Sequence, residues 1–215
     1  KDYKGPQLNM SAIFGLIYLD GSPVAADDLV RMQQALAYWG EDGGGLWQQG
    51  HVGLGCNIRQ ITPESRYETF PVTGAGHHLW LTGSARLDNR EDLCRVLGIP
   101  QVDWPTTPDT LLLLLAYERW GRDCPEYILG DWSLALWDQR QQQLFLARDH
   151  FGNTGFYYYH NSRFLAFASG KKGLLALPQV PKKLNHLRIA QVLTSWPGDG
   201  LQTAYEGIFR LPPAH

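Results

Sequence analysis

An α+β fold built on antiparallel sheets is predicted by three features of this 215-residue sequence. Two pairs of short β-prone runs are joined by four-residue turns, Asp138-Gln139-Arg140-Gln141 and His160-Asn161-Ser162-Arg163, as hairpins require. The stretch Asp109 to Trp120 has helical character yet is apolar nearly all round in its first turns, which suits a helix buried between layers. The elements are also grouped, strand, helix, strands, helices, hairpins, rather than alternating as βαβ units.

In chain order, Ser11 to Leu19 is an apolar strand closed by the turn Asp20-Gly21-Ser22-Pro23. Leu29, Met32, Leu36 and Ala37 then recur near helical spacing in a helix from Asp27, an N-cap residue type, to Ala37. The four glycines from Gly40 to Gly45 break that helix. Strands follow at His51 to Ile58 and Leu79 to Ser84, helices at Arg90 to Leu97 and Asp109 to Trp120, and strands at Trp132 to Asp138, Gln143 to Arg148, Phe156 to His160 and Phe164 to Ser169. Helices at Gly170 to Ala176 and Asn185 to Leu193 complete the pattern. Residues 1–9 are polar and aperiodic and read as a tag or disordered tail; residues 10–215 read as one domain.

A net charge of -2 carries no electrostatic footprint for nucleic acid. The longest apolar run, Leu111 to Ala116, is far too short to span a bilayer, and no segment has the build of a signal peptide, so the expected compartment is the cytoplasm. Cys56, Cys94 and Cys124 lack C-x-x-C spacing and read as buried free thiols. The adjacent His77 and His78 would point to opposite faces of a strand, so no metal site is expected.

Several ordered blocks carry a family resemblance. Met10-Ser11-Ala12-Ile13-Phe14-Gly15 resembles the Met-Cys-Gly/Ser-Ile-Phe-Gly start of asparagine-synthetase-type glutaminase domains. Gln34 to Gly43, Thr62 to Ser65 with Phe70-Pro71, Arg86 to Leu93, Asp109 to Gly121, Gly130 to Asp138, Leu146 to Gly152 and Phe167 to Ser169 resemble further blocks in the same order. The resemblance to class II glutamine amidotransferase domains covers Met10 to His215. It implies an N-terminal-nucleophile hydrolase fold, a four-layer αββα sandwich with two stacked antiparallel sheets. It also implies a partner, the synthetase domain that follows in such ligases and binds ATP and Mg. The Ser-Gly-Gly-x-Asp-Ser loop of that domain does not occur here, while Ile208 to His215 resembles the segment leading toward it. No cofactor is expected in this domain itself.

By the resemblance, Ser11 stands at the nucleophile position. A glutaminase of this type uses the free α-amine of its nucleophile as base, and the nitrogen of Ser11 is here an amide to Met10. Thr82-Gly83-Ser84 stands where the family has Asn-Gly-Glu: the Gly83 N–H remains as an oxyanion donor, while the amide at Thr82 and the carboxylate at Ser84 are gone. Ile58 replaces the carboxylate-binding Arg, with Arg59 one residue later. Asp109 matches the distant Asp of the substrate site and equally suits helix N-cap duty. Ser11, Gly83, Thr82, Arg59 and Asp109 are therefore the expected remnant of a glutamine site. Arg148-Asp149 reads as a turn-closing pair.

The joint departures predict a glutaminase domain that has lost glutamine hydrolysis, within an ATP-dependent amide-forming ligase, and kept for structure or for binding a partner, peptide or small molecule. Relatives that lost the Cys, β-lactam synthetases and lasso-peptide cyclases, resemble this pattern. The alternatives are an amidohydrolase that uses Ser11 after processing, and a small-molecule or peptide binding module.

Overall fold

Strand β1 (Ala12–Tyr18) is buried on both faces: Ala12, Phe14, Leu16 and Tyr18 join one apolar cluster, Ile13 and Ile17 another. Neighbouring strand residues point to opposite sides, so this one segment lies between two packed layers. In the computed structural model, which describes residues 10–196, 198 and 200–215, that layering extends through the domain. The expected tail, residues 1–9, lies outside the described residues.

The chain continues as α1 (Ala26–Ala35), β2 (Gly43–Gln49), β3 (Val52–Ile58), β4 (Val72–Thr73), β5 (Leu79–Leu87), α2 (Arg90–Val96) and α3 (Asp109–Trp120). Then come β6 (Gly130–Asp138), β7 (Gln143–Arg148), β8 (Tyr157–His160), β9 (Phe164–Ala168), α4 (Lys171–Leu175), α5 (His186–Leu193) and β10 (Ile208–Arg210). One antiparallel sheet runs β10-β8-β9-β1-β3-β2 and the other β4-β5-β6-β7. Ile13, Ile17, Leu54, Cys56 and Phe167 of the first meet Ala135 and Trp137 of the second between the sheets. On the outer face of the larger sheet, Phe14 and Leu16 pack on Leu29 and Met32 of α1 and Leu174 of α4. On the outer face of the smaller one, Leu81, Leu134 and Leu136 pack with Leu112, Leu113 and Leu114 of α3 and Leu93 of α2. The order is helix, sheet, sheet, helix, the four-layer αββα sandwich that the resemblance implied.

Both anticipated hairpins form, each closed by a side chain. Asp138 Oδ1 accepts from the Arg140 and Gln141 N–H groups at 2.8 and 3.0 Å. Asn161 Oδ1 accepts from Arg163 and Phe164 at 2.8 and 2.9 Å. These short bonds fix the turn before the strands meet.

Three expectations need correction. The helix ends ahead of the glycine run as expected, but the run is not a mere break: Gly43 to Gly45 open an edge strand, β2, where none was expected. Gly43 and Gly44 have φ of +144° and +152°, and a Cβ on Gly44 would stand 2.3 Å from the Cys56 carbonyl, so glycine permits this pairing where strand propensity argues against it. Asp27 does not cap α1; Ala25 holds that position without a side-chain bond. Its neighbour Asp28 is instead buried, accepting from Arg31 and Gln179 at 2.9 Å each. Asp109 does not cap α3 either, since Pro108 is the N-cap and the carboxylate reaches elsewhere.

Helix α5 stands apart from the layers. The chain leaves and rejoins the body side by side, with Asn185 N–H donating to Ala204 O and Glu206 N–H to Lys183 O, both at 2.9 Å. Asn185 caps the helix by accepting from the Arg188 N–H at 3.0 Å. No residue of α5 is buried, and Leu187, Leu193 and the following Trp196 are 66%, 80% and 68% exposed. Among the described residues, no helix is long and apolar enough to cross a membrane.

Candidate active site

Ser11 lies just before β1 and is buried. Its hydroxyl accepts from the Arg59 N–H at 2.9 Å and donates to the Arg59 carbonyl at 3.4 Å. The antiparallel pairing of β1 with β3 sets this contact, since Ala12 lies opposite Asn57 and the two strands end together. The Ser11 hydroxyl is thereby engaged by backbone rather than presented to a general base, and its nitrogen carries the Met10 acyl group.

Beside Ser11 is a cavity of about 30 Å³ walled by Trp39, Ser84, Ser133, Thr154 and Ser169. Its volume is that of one or two water molecules, too small for a glutamine side chain, and Met10 forms part of its wall. Three of these hydroxyls have structural partners or none. Ser169 Oγ accepts from the Ile13 N–H at 2.9 Å and Thr154 Oγ1 donates to the Trp132 carbonyl at 3.0 Å. Ser133 Oγ is buried without a hydrogen-bond partner among the described residues. Ser133, Thr154, Ser169 and Trp39 were not legible as a pocket from sequence. Their one signal is a polar residue on the inter-sheet face of an otherwise apolar strand, as at Ser133 between Trp132 and Leu134.

The other expected residues do not line this cavity. Thr82 is fully buried on β5, and its hydroxyl donates at 3.0 Å to the carbonyl of Gly55 on β3, joining the two sheets. A Cβ on Gly55 would collide with the Phe14 ring at 2.1 Å, which explains the glycine there. Gly83 pairs with Leu134 and turns its α-carbon toward α3, where a Cβ would stand 3.1 to 3.4 Å from Leu81, Thr110 and Leu113. Arg59 is brought to Ser11 by its backbone, while its half-buried guanidinium has no hydrogen bond or ion pair among the described residues.

Asp109 is tied into the helix layer. Its carboxylate accepts from the Leu87 N–H at 2.9 Å and from Arg90 Nη1 at 2.6 Å. Arg90 also donates to the Thr107 carbonyl at 2.6 Å and to the Trp104 carbonyl, and lies 3.6 Å from Glu64. Burial pushes the Asp109 carboxyl up, against the lowering effect of Leu87 and Arg90. Burial, and then the nearby Asp109 charge, push the half-buried Glu68 up to about 7. Nothing local in the sequence pairs Arg90 with Asp109; they stand 19 residues apart and meet because α2 packs on α3.

Arg148 and Asp149 close a turn as anticipated. Arg148 Nη2 donates to the Gly152 carbonyl at 2.9 Å. Asp149 accepts from the Phe151 and Asn153 N–H groups at 3.1 and 3.0 Å and from the Thr154 N–H at 3.3 Å. His150 is exposed. The three cysteines are buried and unpaired, and burial raises Cys56 and Cys124 to about 12, which keeps both as unreactive thiols.

Comparison with known proteins agrees with this architecture. Glutamine-hydrolyzing asparagine synthetase 3 of Bacillus subtilis (strain 168) is 28% identical over 190 residues, covering 86% of this chain and 30% of that protein. Amidase chry2 of Gibberella zeae is 26% identical over 194 residues, covering 88% of this chain and 28% of that protein. The chain thus spans less than a third of the length of these relatives. Among solved structures, glutamine phosphoribosylpyrophosphate amidotransferase from B. subtilis superimposes with a TM-score of 0.61 at 14% identity, over 77% of this chain and 43% of that one. That likeness shows the shared fold. The glutamine amidotransferase domain family matches residues 10–215, and the chain belongs to it.

Proposed function

We propose that this domain keeps the architecture of a glutaminase without its reaction and serves an asparagine-synthetase-like, ATP-dependent amide-forming ligase as a structural and docking unit. The observation that carries this reading is the Ser11 hydroxyl, which is held by the Arg59 backbone through both its N–H and its carbonyl. A hydroxyl so held is not presented to a general base. Thr82 supports the reading, because its hydroxyl points to Gly55 and it lacks the amide of an oxyanion donor. Asp109 supports it too, its carboxylate being occupied by Leu87 and Arg90.

A ligase whose nucleophile is an amine of the substrate itself has no use for ammonia, and the departures at Ser11, Ile58, Thr82 and Ser84 fit that chemistry. In this reading the likeness to β-lactam synthetases and lasso-peptide cyclases is functional. ATP and Mg are bound by the synthetase domain, whose docking face on this chain is the α5 excursion. Its exposed Leu187, Leu193 and Trp196 favour a partner that covers them. The three buried thiols, none in a disulfide, fit a reducing cytoplasmic setting.

The test is ammonia release from glutamine by the purified chain, with Ser11→Ala as control. The expected result is no turnover above that control. Turnover abolished by Ser11→Ala, in a form whose intact mass begins at Ser11, would establish a processed amidohydrolase instead.

A further inference from the structure

Three distant segments meet at Tyr157. Pairing of β10 with β8 sets Arg210 opposite Tyr157, and pairing of β8 with β9 sets Tyr157 opposite Ala168, three residues before Lys171 opens α4. The Lys171 Nζ lies 4.7 Å from the centre of the Tyr157 ring and the Arg210 guanidinium carbon 5.6 Å from it. Arg210 Nη2 donates to the Tyr157 hydroxyl at 3.3 Å.

We infer that Lys171, Arg210 and the Tyr157 hydroxyl form a binding site for an oxyanion of two or more charges, a phosphate or pyrophosphate group. Neither cation has a carboxylate partner among the described residues. Contact with an aromatic face stabilises each cation without neutralising it, so the two charges still repel. A third charge adds to them. Arg148 is 2% exposed, within electrostatic reach of both Arg210 and Tyr157, and its Nε has no hydrogen-bond partner among the described residues. Its sequence neighbour Asp149 offsets part of that charge, so Arg148 supplements the field of Lys171 and Arg210 without adding a full unit to it.

The donor set selects the anion. A guanidinium fork, an ammonium point charge and a phenolic O–H approach from three chain segments, which matches the several oxygens of a tetrahedral phosphate better than a planar carboxylate. A dianion also compensates both cations where a monoanion leaves one. Tyr157 registers the same field: burial would raise its phenol, yet Lys171 and Arg210 outweigh burial and hold it below its ordinary value. The site is separate from the Ser11 cavity and does not depend on whether glutamine is hydrolysed.

Calorimetric titration of the full chain at pH near 7 and fixed ionic strength, with phosphate, pyrophosphate, ATP and acetate, tests this. Pyrophosphate or ATP should bind about tenfold or more tightly than acetate, and Arg210→Gln and Lys171→Gln should each weaken binding about tenfold. Arg210→Lys, which keeps the charge and loses the fork, should fall between. ATP binding more tightly than pyrophosphate assigns the site to a nucleotide; equal affinity assigns it to a free anion. As a second readout, the bound dianion should raise the phenolate titration midpoint of Tyr157, seen as the ultraviolet difference from Tyr157→Phe. Acetate matching pyrophosphate, no phosphate binding up to about 10 mM, or affinity unchanged in the folded Lys171→Gln/Arg210→Gln double variant would overturn the assignment.

Discussion

The Thr82 hydroxyl donates to the Gly55 carbonyl at 3.0 Å across the space between the two sheets. A position that the resemblance assigns to an oxyanion donor is therefore a strut between layers. Replacing Thr82 by Val keeps the shape and leaves the buried carbonyl without this donor. The expected loss is roughly 1–3 kcal/mol of stability, measured by urea unfolding.

Ser11 is one of several departures, so restoring the thiol alone should not restore the reaction. A chain beginning at residue 11 and carrying Ser11→Cys is expected to release ammonia from glutamine at background rate. Turnover by that variant would mean that the rest of the pocket still holds glutamine, against the placement of Thr82 and Asp109.

The Asp109–Arg90 pair is a structural element. Asp109 is 4% exposed, and removing it takes away the nearer carboxylate partner of Arg90, leaving Glu64 at 3.6 Å, and the acceptor of the Leu87 N–H. Asp109→Ala should cost roughly 3–5 kcal/mol in urea unfolding. A variant as stable as the parent would contradict this role.

Glu68 gives the fold a pH dependence of defined sign. Its carboxyl is raised from 4.5 to about 7 by burial and then by Asp109, so the folded state holds the proton more tightly than the unfolded chain. Stability from this group is present below pH 4.5 and is lost as pH rises to about 7, then levels off. The amplitude is at most about 3 kcal/mol. Glu68→Gln should flatten that fall, leaving a variant more stable than the parent at pH 8, as urea midpoints across pH would show.

The apolar face of α5 should matter for association and hardly for folding. Leu193→Ser and Trp196→Ser remove exposed side chains, so each should change the unfolding free energy by no more than about 0.5 kcal/mol. Should a synthetase domain slow hydrogen exchange in α5 (His186–Leu193), as the proposed docking requires, the same variants should lose that protection. A large loss of stability in the isolated chain would show instead that α5 packs on its own domain.

Much of the fold was legible because it is written in local patterns. The run Gln143–Arg148 and the helix Asp109–Trp120 have the bounds that periodicity predicts, and the Asp138 and Asn161 turns close as their residue types require. Strand β2 was not legible, because Gly43 to Gly45 lower strand propensity while a close approach to Cys56 demands them. Asp27, and Asp109 in one of its two expected roles, have the residue type of a cap, yet neither caps its helix, for a related reason. Residue type marks a cap, but the chain put Ala25 and Pro108 there and drew Asp109 toward Leu87 and Arg90.

By itself the sequence determined the layered α+β plan and the family, and it marked Ser11, Ile58, Thr82 and Ser84 as departures from a glutaminase. Only the tertiary structure decided what these positions do instead. Ser11 meets Arg59 across 48 residues and Thr82 meets Gly55 across 27; elsewhere in the fold, Arg210 meets Tyr157 across 53. Side-chain periodicity tells each strand which face is buried. It does not say which strand stacks above it, and a hydrogen bond a few ångströms long depends on that stacking.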